Sequence, residues 1–271
     1  MNVFRNSTQN LICRALSCGF LALCVSFNTS AQSVLNAQAI QKVLTSSERP
    51  SEDIKRDAAR KPEKILAFAG VKSADTVLDL FAGDGWYTEL FSKAVGPAGK
   101  VYAQNDEVIW RFAQEGIKKR TLDNRLPNVT RLDNIAIAKI NVPDNSVDIA
   151  FMALNYHDLF FTQMMQDGKL VKLRDNVVDH KAVLATIKRV LKDDGVVIII
   201  DHFAHPGSGY EAANNQHRID PDIVKFQFDE AGFKLLEEAF YLRNDKDTLD
   251  LSVFDPSIRG NTDRFIYKFG K

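Results

Sequence analysis

Cysteine is nearly absent from the 271-residue chain: Cys13, Cys18 and Cys24 are the only three. Everything after Cys24 therefore has no disulfide framework, no cysteine metal site and no thiol nucleophile. An excess of either charge is missing too. Thirty-five basic residues face 35 acidic ones, for a formal net charge of +0. Without a positive field, a nucleic-acid partner or an anionic membrane surface is disfavoured. No internal repeat or low-complexity tract occurs. No apolar run reaches the roughly 20 residues of a membrane-spanning helix.

What is present begins with a short apolar run. Arg5 and Arg14 precede Ala15–Phe27, 13 residues long, and the small residues Thr29 and Ala31 follow. This is the layout of a secretory signal peptide spanning 1–31, cleaved near Ala31. It predicts an exported, periplasmic protein with no membrane segment left after cleavage. Cys24 hints at lipidation, but Leu23 before it is a poor small-residue match. Cleavage removes two arginines and no acid; the remaining 33 basic and 35 acidic residues carry a formal −2.

Residues 32–70 read as a helical extension. Val34–Leu44 has helical spacing, Ser51 is a cap with acids behind it, and Pro62 suits a first turn, so two short helices are expected. Residues 71–271 alternate strand and helix. Strands are predicted at Val77–Leu80, in "GPAGKVYAQ", at Val129–Leu132, around Ile149–Ala153, at Val196–Ile200, Phe233–Phe240 and Arg264–Phe269. Helices are predicted at Trp86–Val95, Glu107–Glu115, His180–Leu191 and from Pro221 to near Gly232. Strand–helix alternation with apolar strands means an α/β fold, a mostly parallel sheet covered on both faces. Ligands of such sheets bind beyond the C-terminal strand ends.

"VLDLFAGDGWYT" (Val77–Thr88) lies at that edge. Asp79 precedes two glycines, Gly83 and Gly85, which permit a tight turn and close backbone approach. Trp86 opens a helix whose N-terminus suits an anion. A dinucleotide turn wants a third glycine where this chain has Thr88. Asp79 instead suits a ligand carrying positive charge.

The stretch resembles the first motif of class I S-adenosylmethionine-dependent methyltransferases. "LKDDGVVIIIDH" and "AGFKLLEEAFYL" resemble later segments of the same family. The combination of leader, "NYHDLFF", "HRID" and "GNTDRFIYKF" resembles a bacterial group of exported methyltransferases. The resemblance implies a Rossmann-like, doubly wound, seven-stranded sheet with helices on both faces and S-adenosylmethionine as cofactor. It places Asp79, Phe81, Gly83 and Gly85 on the cofactor. It assigns Asn105, or Asp106 beside it, to the ribose hydroxyls, where the family usually has an acid, and Asp133 to the adenine amino group.

The acceptor side is expected beyond the fourth and fifth strands. His157 is the candidate general base, with Tyr156 and Asp158 beside it as the catalytic group. Trp86, Tyr87, Asn155, His202, His217 and Arg218 are candidates for holding a small-molecule substrate. Arg218 could take a substrate carboxylate or pair with Asp220. No metal is assigned; Asp201, His202 and His205 form the alternative metal set. Methyl transfer to a small molecule is the leading reading. A binding protein that kept the fold without transfer, or a metal-dependent enzyme using the His/Asp loops, are its rivals.

Overall fold

An open sheet of seven strands organises the computed structural model, which describes Met1 and residues 33–271. The expected leader lies outside the described residues. Four helices come first: α1 (Ala37–Leu44), α2 (Ser51–Lys55), α3 (Asp57–Arg60) and α4 (Pro62–Ala69). There follow β1 (Thr76–Leu80), α5 (Trp86–Val95), β2 (Lys100–Asn105), α6 (Glu107–Arg120), β3 (Val129–Asp133) and β4 (Val147–Ala153). A hairpin of β5 (Gln163–Gln166) and β6 (Lys169–Lys172) leads to α7 (His180–Val190) and β7 (Leu191–His202). The chain closes with α8 (Glu211–Gln216), α9 (Pro221–Glu230), β8 (Lys234–Ala239) and β9 (Arg264–Gly270).

The strand order is β3-β2-β1-β4-β7-β9-β8. β1, β2, β3, β4 and β7 pair in parallel, and β9 runs antiparallel to β7 and β8. The mostly parallel, doubly wound sheet expected from the sequence is present. Its strands are apolar because both faces are covered. Val197 and Ile199 point into one core with Val183, Ile187 and Phe228 of α7 and α9. Ile198 and Ile200 point into the other, with Leu90 and Phe91 of α5 and Ile65 and Leu66 of α4. This two-residue alternation is the strand period itself.

Two local readings are corrected. The segment before β1 breaks into four helices rather than two: Pro62 has no N–H to continue a helix, and Lys61 before it takes φ +47°. The β5–β6 hairpin was not expected. Its turn is Asp167–Gly168, both at positive φ, the backbone that tight hairpins demand.

The sheet's order reverses at β1. From there the chain moves to β2 and β3 on one side, then to β4 and β7 on the other. A crevice opens where the strands diverge, and ligands of doubly wound sheets bind there. Among the described residues, no helix is long and apolar enough to cross a membrane.

Candidate active site

The turn after β1 is built under strain. Phe81, a bulky residue, sits at φ +49°, and Gly83 and Gly85 follow at +58° and +82°. Gly85 is doubly required. It caps α5 in the left-handed region, and an added Cβ would lie 2.5 Å from Ile117 Cδ1 and 2.9 Å from Arg120 Cδ of α6. Gly83 differs: an added Cβ would meet nothing within 4 Å. Its backbone faces a cavity of about 260 Å³ that also touches Asp79, Tyr87, His157, His202 and His217. A second cavity of about 620 Å³ lies on the other side of Phe81, bounded by Asp106, Asn134 and Ile135 beyond β2 and β3.

Asp79 is buried, and one of its oxygens accepts from Thr88 Oγ1 at 2.6 Å. Thr88 stands where a dinucleotide turn has its third glycine, so the departure has a positive use: it holds the acid. Burial, opposed by that hydrogen bond, pushes the Asp79 carboxyl up to about 7. A cation beside it would restore the charge.

Asn105 and Asp106, expected on the ribose, are committed elsewhere. Asn105 is fully buried; its Oδ1 accepts from Gly83 N–H at 2.9 Å and its Nδ2 donates to Gly83 C=O at 3.1 Å. A carboxylate could accept but not donate. The amide is thus the side chain that can grip both backbone groups of the turn, which accounts for the missing acid. Asp106 caps α6 through Val108 N–H and Ile109 N–H, and its other oxygen accepts from Arg174 Nη1 at 3.0 Å. It still borders the larger cavity. Gln104, overlooked in the sequence, accepts from Phe81 N–H and donates to Ile135 C=O, tying the strand ends together. Asp133 ends β3 in register with Asn105. Its Oδ2 pairs with Arg131 at 3.1 Å, while Oδ1 is buried with no hydrogen-bond partner among the described residues.

On the other side of the cavity, the residues after β4 make a 3-10 turn at His157–Leu159. The turn sends neighbours in opposite directions. His157 N–H donates to Asp201 Oδ2 at 2.8 Å, and its Nδ1 meets Asp201 Oδ1 at 2.9 Å. Nε2 faces Asp158 Oδ1 at 3.4 Å, and Asn155 Nδ2 donates to the other oxygen of Asp158 at 2.7 Å. Burial alone would push His157 down, but the two carboxylates outweigh it and carry its pKa up to about 9. The flanking carboxylates thus favour the protonated imidazole in the free protein, which counts against the resting general base expected from the sequence. Burial pushes His217 down to about 3 and His202 well below its ordinary value, each reinforced by the His157 charge. Both remain neutral. His202 Nδ1 meets Thr262 Oγ1 at 2.6 Å.

Three further expectations are overturned. Tyr156 turns away from the site into the core, where its hydroxyl bonds Gln227 Oε1 at 2.6 Å and its ring lies near Phe160 and Phe228. Arg218 is fully buried and fully used. It pairs with Asp247, not Asp220, and donates to the carbonyls of Phe203 and Leu251, so it pins the loop that closes over β7. The set Asp201, His202, His205 does not converge: His205 is exposed and pairs with Asp250 at 2.9 Å. Trp86 and Tyr87 do border the cavity, but as packed walls. Trp86 Nε1 donates to Asp53 C=O at 3.1 Å, and the Tyr87 ring lies 4.6 Å from that of Phe151.

Arg56 and Arg60 carried no motif that would have marked them as site residues. They come from the helical extension and reach the same cavity. Arg56 pairs with Asp84 at 3.3 Å. Arg60 lies over the Trp86 ring at 4.7 Å and has no carboxylate partner among the described residues. Burial pushes its guanidinium down to about 10, which leaves it cationic at neutral pH.

No family model matches the chain. It is 27% identical over 188 residues to the ubiquinone/menaquinone biosynthesis C-methyltransferase UbiE of Burkholderia cenocepacia, spanning 68% of this chain and 67% of that one. The Escherichia coli protein of the same name is 26% identical over 199 residues, 69% of this chain and 67% of its own. A solved S-adenosylmethionine-dependent methyltransferase from Aquifex aeolicus superposes with a TM-score of 0.53 at 26% identity, covering 87% of this chain and 98% of that one. Strand order and first turn match the Rossmann-like fold of these methyltransferases. The chain is similar to class I methyltransferases in sequence and in fold; it is an S-adenosylmethionine-dependent methyltransferase, and S-adenosylmethionine is its cofactor.

The residues present fit that cofactor. The open Gly83 backbone, the Asp79 carboxyl, the α5 N-terminus and the orphaned Asp133 Oδ1 line up along the sheet edge. They offer a partner for a cation, donors for an anion and an acceptor for an amino group.

Proposed function

We propose that the chain methylates a small-molecule acceptor bound in the 260 Å³ cavity, between the glycine turn and the histidine cluster. One observation carries this reading: Gly83 and Asp79 on the cofactor side and His157, His202 and His217 on the far side share that one cavity. S-adenosylmethionine, when bound, supplies an electrophilic methyl group on a sulfonium centre. The chain's own residues bind, orient and shield. Asp79 and the Gly83 backbone hold the methionyl end, and Phe81 separates the two cavities. Trp86, Tyr87 and Phe254 exclude water from the acceptor side. Proximity of this kind lowers a barrier without a covalent intermediate.

Arg60 narrows the acceptor or its contacts further. A cation inside an aromatic wall, with no carboxylate against it, takes an anionic group. The UbiE relatives are named for C-methylation in ubiquinone/menaquinone biosynthesis. A carbon acceptor on an apolar ring agrees with the aromatic walls of the cavity here.

Incubating the protein with methyl-labelled S-adenosylmethionine and small-molecule fractions of a cell extract should move label to an acceptor identified by its mass. S-adenosylhomocysteine should bind in a calorimetric titration. Failure of both ligands to bind at millimolar concentration would sink the reading.

Export completes the proposal. It rests on Arg5, Arg14, the apolar run Ala15–Phe27 and the small residues up to Ala31. N-terminal sequencing of the protein from a fractionated host should find periplasmic material beginning near Gln32. A cytosolic protein retaining residues 1–31 would end the proposal.

A further inference from the structure

Three donor atoms converge at the acceptor end of the cavity. His157 Nε2 lies 3.4 Å and His217 Nδ1 4.0 Å from the same oxygen, Asp158 Oδ1. One donor atom from each of His157, Asp158 and His217 lies within 4.8 Å of the other two. A zinc-type shell with bonds near 2.0–2.2 Å and tetrahedral angles sets its donors about 3.3 Å apart. One pair is already there, and the others need small side-chain adjustments.

Each donor is fixed from behind. The Nδ1 of His157 that does not face the cluster is pinned by Asp201, which is itself fully buried and also receives the His157 and His202 main-chain N–H groups. The second oxygen of Asp158 is held by Asn155. His217 ends α8 at φ +56°, a left-handed conformation that a non-glycine residue keeps only when its surroundings enforce it. Its ring is wedged between Phe161 at 4.4 Å and Phe254 at 4.8 Å. A carboxylate on the far nitrogen of one histidine and an amide on the carboxylate ligand form the outer shell that orients metal ligands; a metal at His157 Nε2 displaces the proton that its two carboxylates favour in the free protein.

We propose that His157 Nε2, Asp158 Oδ1 and His217 Nδ1 form a three-donor site for a divalent first-row transition-metal ion of the zinc type, with its open position on the 260 Å³ cavity. Two imidazoles and one carboxylate suit zinc, cobalt or ferrous iron. Magnesium, which prefers oxygen ligands, fits poorly. His157 and His217 both border the cavity, so a fourth ligand can enter from it. An acceptor oxygen bound there would lose its proton more readily. That use rests on the methyl-transfer reading, whereas the metal site itself does not.

The full chain, purified without a polyhistidine tag and stripped by chelator, is titrated with Zn²⁺ by calorimetry and with Co²⁺ by visible absorption. One equivalent should bind, with cobalt bands of four-coordinate strength. Asp201→Asn should weaken binding by roughly 10- to 100-fold, and His217→Gln or Asp158→Asn by more. His205→Ala, at an exposed position, should leave it unchanged. A cooperative thermal melt identifies which variants are folded, and the wild-type titration decides even if one ligand variant is not. Absence of stoichiometric binding of either ion to the wild type overturns the site. So does binding that survives the folded ligand variants. Because these readouts measure metal and not methyl transfer, failure here leaves the methyltransferase reading standing.

Discussion

Arg120→Met should destabilise the protein by about 3–5 kcal/mol, the cost of leaving buried carboxylates without their cation. At roughly 2–4 °C per kcal/mol for a domain of this size, the melting temperature falls by about 10 °C. Arg120 Nη1 reaches Asp53 Oδ2 and Glu89 Oε2, each at 2.6 Å, and its Nε donates to Asp84 C=O at 2.6 Å. Arg125 also pairs with Glu89 but does not reach Asp53. Removing Arg120 therefore leaves Asp53 without a cationic partner among the described residues. The loss is more than local. Asp53 belongs to α2, its carbonyl receives Trp86 Nε1, and α2 and α3 deliver Arg56 and Arg60 to the cavity. Denaturant melts at neutral pH measure the effect, and S-adenosylhomocysteine should bind the folded fraction more weakly. Adding Asp53→Asn should recover part of the stability, because an amide is cheaper to bury than an unpaired carboxylate. A melting temperature within a degree or two of wild type would show that the network contributes only as an exposed pair does.

How much of this was legible from residues alone divides along a physical line. The strands were, because β-branched runs such as Val196–Ile200 are buried on both faces and need no partner to be recognised. The glycine turn was, because Gly83 and Gly85 answer a backbone demand that is local. The side chains around it were not. Tyr156 and His157 are adjacent in sequence, yet a 3-10 turn sends one to Gln227 and the other to Asp201. Arg218 stands two residues from Asp220, yet pairs with Asp247 in a distant loop. Arg56 and Arg60 lie on a charged helical stretch with no motif to mark them; only the packing of α2 and α3 against α5 and α6 turns them inward. The hairpin at β5–β6 did carry a signal, the Asp167–Gly168 pair, but its flanks lack the strict alternation that would have made it persuasive. Choice of partner is a tertiary fact, and spacing along the chain does not encode it.

Asp79→Asn should weaken S-adenosylhomocysteine binding at pH 8 by roughly 10- to 100-fold, the range of a charge-assisted hydrogen bond. It should also abolish a pH dependence that the wild type shows. In the free protein the Asp79 carboxyl is raised to about 7 by burial. A cationic methionyl ammonium beside it favours the ionised form and lowers that pKa. Below about 7 the free protein must give up a proton to bind, so wild-type affinity falls as pH drops through 7 and levels off above it. Calorimetry in buffers of different ionisation enthalpy should detect that proton release near pH 6 and little of it at pH 8. Stability should move the other way. A folded-state pKa raised above the unfolded value makes ionised Asp79 a cost that grows as pH rises from about 4 to 7 and persists above. The asparagine variant escapes that cost, since its Oδ1 still accepts from Thr88 Oγ1. It should therefore melt no lower than wild type at pH 8 while binding worse. Opposite signs in the two measurements on one variant separate a ligand-binding acid from a structural one. A wild-type binding profile flat from pH 6 to 8, with no proton released, would remove Asp79 from contact with the cofactor's cation.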